Sequence, residues 1–143
     1  HNGSFGIFLE KGKSLDINNS YPISSDNLKN SIDEWANESK EFWTNIALQN
    51  KKIVIWGCSA KFLFTYSALE LYKIKQISFI VDSTIEKQGL YAPGTSIRVA
   101  DEDCIEFNPD DLIFVIGARN FKNVILDKIK EKYENANIYC PPF

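Results

Sequence analysis

The run Ile53-Val54-Ile55-Trp56-Gly57-Cys58-Ser59-Ala60-Lys61-Phe62 decides how the rest of the chain is read. Its first four residues are apolar without a break, the run stops at a glycine, and the chain then resumes with residues that suit a helix. A strand that is apolar at every position has both faces buried, which is the situation of a parallel sheet covered by helices on each side. The run therefore predicts the first strand, the turn and the helix start of a Rossmann-like unit. In that architecture the first strand is central and its carboxyl end faces the ligand crevice.

Downstream the same pattern repeats. A helix is expected over residues 60–72, where Phe62, Leu63, Phe64, Tyr66, Leu69 and Leu71 are too apolar for an element facing solvent. Residues 77–81 form a second apolar strand ended by Asp82, followed by the turn-rich stretch 87–95, in which Gly94 after Pro93 marks a turn that needs positive φ. A short edge strand is expected near residues 97–99 and one or two helical turns over 101–107. A strand at 112–116, a helix at 121–133 and a last strand at 138–140 complete the pattern. The expected fold is α/β: a Rossmann-like, doubly wound, mainly parallel sheet of about five strands in the order 3-2-1-4-5.

Upstream, residues 4–10 alternate around Phe5, Ile7 and Leu9 with the period of a half-buried strand. A long helix is expected over residues 25–49. Ser24 and Ser25 can cap it, Asp26 suits its first turn, and Leu28, Ile32, Trp35, Phe42 and Ile46 recur at helical spacing. Trp43 and Leu48 lie off that stripe, so the C-terminal half is expected to be buried on two sides. One boundary is expected near Asn50, dividing a strand, loop and connecting helix (1–50) from the Rossmann-like domain (51–143).

Composition narrows the function classes. A formal charge of -3, with acidic and basic residues interleaved, argues against a surface built to neutralise phosphates of nucleic acid. No apolar run approaches the roughly 18 to 20 residues that span a bilayer. Cys58, Cys104 and Cys140 lack the paired spacings of zinc sites and read as buried thiols in a reducing cytoplasm. The chain contains no methionine, and a piece of a longer protein is expected.

A dinucleotide fingerprint needs three glycines. Only Gly57 is present, with Ser59 and Phe62 in the other two places. A phenylalanine where the helix presses on the strand is expected to push the helix outward and to put bulk near the phosphate path, which argues against NAD or FAD. Asp82 stands where such folds place the carboxylate that holds a ribose hydroxyl, although an aspartate there also serves as an ordinary turn former. Lys61 can reach an anion over the helix start or simply be solvated. His1 is the only histidine, so there is no triad, and no nucleophile elbow, phosphate-binding Walker loop or metal-ligand cluster is visible.

Taken together, the motifs resemble the C-terminal region of the bacterial S-adenosylmethionine-dependent sugar C-methyltransferases, which act on nucleotide-linked deoxysugars. The resemblance is carried by His1-Asn2-Gly3-Ser4-Phe5, by Gly57-Cys58-Ser59-Ala60-Lys61-Phe62, by Asp82 with Lys87-Gln88-Gly89 and Pro93-Gly94-Thr95, and by the strand 112–116 with Asn120 and the helix beyond. Asn2 and Phe62 depart from glycines of the family pattern, and Ala118-Arg119 precede Asn120 where an aromatic residue is common. The resemblance implies that S-adenosylmethionine binds an upstream domain of the parent protein, with no cofactor or metal in this fragment. It implies a small-molecule substrate, a nucleotide sugar, between the two domains, with Gly57, Lys61, Asp82 and Asn120 on the substrate side. It also implies that the segment containing His1 runs close to the reacting sugar, which makes His1 the candidate for the base that removes a proton beside a carbonyl or for a contact to a sugar hydroxyl. By that reading the fragment is not catalytic alone; its partners are the upstream domain and the substrate, with a homodimer an open possibility. The alternatives are a stand-alone Rossmann-like binding or dimerisation module without enzymatic activity, using the long helix to hold its partner, and a small dehydrogenase-like nucleotide-binding enzyme.

Overall fold

Alternation inside each apolar run sends successive side chains to opposite faces of the sheet, and each face acquires its own core. The computed structural model describes residues 25–105 and 108–142. Its elements are α1 (Ser25–Ala47), β1 (Lys52–Trp56), α2 (Ala60–Ala68), β2 (Ile77–Val81), β3 (Val99–Ala100), β4 (Leu112–Ile116), α3 (Lys122–Lys132) and β5 (Asn137–Tyr139). The strands lie in the order β3-β2-β1-β4-β5, and every neighbouring pair is parallel. Both the doubly wound architecture and the strand order follow the sequence expectation. The strand expected over residues 4–10 lies outside the described residues.

On one face Ile53, Ile55, Ile80, Ile113 and Val115 pack with Phe62 and Tyr66 of α2 and with Trp43 and Ile46 of α1. On the other, Val54, Trp56, Phe114 and Ile116 pack with Ile125 and Ile129 of α3 and with Tyr133. Trp43 and Ile46 thus share a core with β1. The end of α1 is tied further by Gln76, whose Nε2 donates to the Ala47 carbonyl at 3.2 Å, and by Ser39, whose hydroxyl donates to the Pro142 carbonyl at 3.4 Å.

Three expectations change. The buried side of α1 is Ser39, Trp43 and Ile46, whereas Leu28 and Ile32 of the expected stripe are exposed, because the sheet underlies only the C-terminal half of the helix. The second helix ends at Ala68 rather than residue 72. Glu70 takes a left-handed conformation that starts a 3₁₀ turn and drops Leu71 into the core, leaving Phe64 and Tyr72 of that apolar stretch exposed. Of the three thiols only Cys58 is buried; Cys104 is exposed and Cys140 intermediate.

The ladder continues one residue past β1 and β4. Gly57 N–H donates to the Val81 carbonyl, and Gly117 N–H to the Trp56 carbonyl, each at 2.7 Å. Gly57 has a φ of +101°, and a Cβ on it would lie 2.5 Å from the Ala118 Cβ. A Cβ on Gly117 would overlap the Gly57 carbonyl oxygen and come 2.8 Å from the Ile55 Cγ2. The Gly117→Ala variant is expected to lose about 1–3 kcal/mol of stability, read as a lower urea midpoint. An unchanged midpoint would show that the two strand ends separate without cost.

Candidate functional site

The order of the strands reverses between β1 and β4, and in doubly wound sheets ligands bind outside the carboxyl ends at that reversal. Here the reversal is closed by the chain itself, since Gly57 meets Gly117 and Ala118 where a pyrophosphate would need room. Ser59 fixes the closure. Its Oγ caps α2 by accepting from the Phe62 N–H at 3.2 Å, and its hydroxyl donates a short hydrogen bond to the Gly117 carbonyl. The serine in the second fingerprint position therefore ties the β1–α2 turn to the end of β4. Phe62 does not lie on the phosphate path, as expected from the sequence, but is fully buried in the core against Tyr66.

Space remains beside the closure. A crevice of about 250 Å³ is bounded by the end of β1 (Trp56, Gly57, Cys58, Ser59), by Asp82, Ser83, Thr84 and Lys87 after β2, by Ala118 and Phe121 after β4, and by Val124, Ile125 and Lys128 of α3. One wall is polar and the other apolar. Phe121 and Val124 present exposed apolar surface at the rim. A second groove of about 240 Å³ lies on the other side of Phe121, lined by Ser59, Ala60, Lys61, Ala118, Arg119 and Asn120. Of the sequence candidates, Gly57 and Asp82 come together in the first space, and Lys61 and Asn120 in the second. His1 lies outside the described residues.

Asp82 is buried and saturated with donors. One carboxylate oxygen accepts from Cys58 N–H at 2.8 Å and from Lys87 Nζ at 2.9 Å, and the other accepts from Thr84 N–H at 2.9 Å. Lys87 Nζ also donates to the Cys58 carbonyl at 3.1 Å, and Gln88 Nε2 to the Asp82 carbonyl at 3.0 Å. Asp82, Lys87 and Gln88 thus form a clasp that joins the β1 turn to the segment after β2. Burial pushes the Asp82 carboxyl up, but the hydrogen bonds from Thr84, Lys87 and Cys58 outweigh it and hold the group below the ordinary carboxylate value. The Cys58 thiol is pushed up by burial, with Lys87 opposing, so it is not a poised thiolate.

Lys87 is the site residue that reading the sequence missed. Its signal was the Lys87-Gln88-Gly89 motif itself, five residues beyond Asp82, where the single 3₁₀ turn Ile85–Lys87 brings the ammonium back over the carboxylate. The far wall is tied down separately, with Lys128 Nζ 2.8 Å from a Glu102 carboxylate oxygen and Lys132 Nζ 2.6 Å from Asp103. Among the described residues no group of His, Cys, Asp and Glu side chains could hold a metal ion, and no helix is long and apolar enough to cross a membrane. The crevice offers hydrogen-bonding groups, an apolar wall and cations, but no nucleophile paired with a base.

A family model described as the C-methyltransferase C-terminal domain matches residues 8–141. Comparison with curated proteins and with solved structures found no match.

Two outcomes test the site. Asp82→Asn is expected to lose about 2 kcal/mol of stability at pH 7. A depressed carboxyl stabilises above its unfolded value of about 3.9 and ceases to do so as pH falls through the folded value. The gap between variant and wild type, measured by urea unfolding, should therefore close as the pH is lowered below about 4. Phe62→Gly, which restores a fingerprint glycine, is expected to cost at least about 3–5 kcal/mol and to gain no thermal shift with NAD, because Gly57 and Ala118 still close the path. A clear shift with NAD would contradict the closure.

Proposed function

The chain belongs to the C-methyltransferase C-terminal domain family, and from that membership we propose that it is the substrate-side domain of an S-adenosylmethionine-dependent methyltransferase acting on a nucleotide-linked sugar or a related small metabolite. The observation that carries this reading is the family match, which runs from residue 8 to residue 141 and so takes in the whole described sheet. The fold supports it in a second way. The reversal of strand order, where a Rossmann-like unit would hold its own dinucleotide, is filled by Gly57, Gly117 and Ala118. On this reading S-adenosylmethionine belongs to an upstream domain of the parent protein, and this fragment is not catalytic alone.

In the parent enzyme S-adenosylmethionine supplies the methyl group. The residues of this chain bind and orient the substrate. Lys61 and Asn120 line a groove that can meet anionic and hydroxyl groups, and Phe121 offers an apolar ridge between that groove and the main crevice. Gly57 and Asp82 shape the main crevice, with Asp82 acting through its clasp rather than as a free ligand. His1 is assigned the proton transfer: C-methylation requires a base to take the proton from the carbon beside a carbonyl before that carbon forms its new bond.

The test uses the parent enzyme with a nucleotide sugar. Lys61→Ala is expected to raise KM for the substrate about tenfold, equivalent to about 1.4 kcal/mol of binding, with the affinity for S-adenosylmethionine unchanged. An unchanged KM would reduce the turn to scaffolding. Loss of cofactor affinity would place the cofactor in this domain instead.

A further inference from the structure

Two lysines line the main crevice from different elements, Lys87 from the segment after β2 and Lys128 from α3. Each is held by a carboxylate, and in both pairs the ammonium is the more open partner. The Lys87 side chain is 44% exposed against 10% for Asp82, and that of Lys128 41% against 29% for Glu102. Glu102 borders a neighbouring hollow with Asp103 and Lys132, and Lys128 stands between the two spaces. An ammonium has three N–H donors. Lys87 uses two, on an Asp82 oxygen and the Cys58 carbonyl, and Lys128 meets the two Glu102 oxygens. Among the described residues each therefore keeps a donor for something else.

We infer that Lys87 and Lys128 form a subsite for a phosphate group, above all a diphosphate, held across the crevice between them. A carboxylate carries a single charge and two oxygens in one plane. A diphosphate carries several charges and turns tetrahedral oxygens toward both walls, which suits two point-charge donors that face it from different elements. Ser83, exposed on the Lys87 side, adds a hydroxyl. The cations are also placed in advance: a free lysine gives up much rotamer freedom when it binds, and here the ion pairs have already fixed both chains. At about 250 Å³ the crevice falls below the roughly 300–1,000 Å³ of pockets that enclose a drug-sized ligand, so it takes the charged part of one. That the remainder is a nucleotide or sugar lying across the Phe121 ridge rests on the function proposed above. Binding also has a competitor built in. The phosphate shares Lys128 with Glu102, so occupation of the subsite loosens that ion pair, while Lys132 still ties α3 to Asp103 and to the Glu102 carbonyl.

The test is calorimetric titration of the full 143-residue chain with pyrophosphate at constant ionic strength, with sulfate as the control anion. Saturable binding of pyrophosphate, tighter than that of sulfate, is expected. Lys128→Met is expected to weaken it at least about tenfold, equivalent to 1.4 kcal/mol. Glu102→Gln, which frees Lys128 from its competitor, is expected to tighten it about two- to fivefold, the scale of a half-exposed ion pair. A purely structural ion pair gives the opposite sign, because losing either partner would then loosen the wall; weakening by both variants would overturn the assignment. No saturable binding at millimolar pyrophosphate, or equal affinity for sulfate with both variants unchanged, would overturn the subsite as well. Urea midpoints show whether each variant is folded, and if Lys128→Met is not, the sign of the Glu102→Gln effect decides. Should these results hold while Lys61→Ala leaves the parent enzyme's KM unchanged, the nucleotide-sugar reading falls and the phosphate subsite stands.

Discussion

Two glycines facing each other at the carboxyl ends of the central strands set the terms for the rest of the molecule. Gly57 and Gly117 allow β1 and β4 to stay hydrogen-bonded one residue beyond the strands themselves, at a separation that leaves no space for a side chain on either. That contact directs the β1 turn into Ser59, whose hydroxyl caps α2 and reaches the Gly117 carbonyl at once. It also decides the chemistry. In related architectures the same place is left open for phosphate groups to approach the backbone; here backbone fills it, and the usable space lies to either side.

The Asp82 clasp is the complement of that closure. A buried carboxylate stabilises a fold only when its oxygens are satisfied, and Asp82 finds three donors on three different segments: the β1 turn, its own turn, and the 3₁₀ turn with Lys87. A motif that reads as a ligand site in sequence thus works first as a structural joint. The consequence for function is positional. The polar wall of the crevice is held by this joint and the opposite wall by the ion pairs of α3 with the turn after β3.

Much of the fold was legible because buried parallel strands have an unambiguous signature. The runs at 77–81 and 112–116 coincide with β2 and β4 to the residue, and the strand order follows from alternation with helices. Errors arose where tertiary context overrode local pattern. The stripe of Leu28, Ile32 and Trp35 tells which side of α1 is apolar, not what lies against it. The helix expected to reach residue 72 is cut short by a left-handed Glu70, a conformation that nothing about glutamate announces. In the site, Gly57 and Asp82 were readable from their positions after the first two strands. Lys87 and the Ser59–Gly117 bond were not, because their meaning comes from partners that only the folded chain brings near.

The sheet's two margins carry a last implication. β3 has two residues and β5 three, and Pro141 and Pro142, which have no N–H to offer, come directly after the residue that follows β5. Such stubs give an incoming strand almost no ladder to extend, which is how natural sheets discourage edge-to-edge polymerisation. Growth of this domain into a larger assembly is therefore steered away from β-augmentation and toward contacts made by whole side chains, over its helices and at the mouth of its crevice.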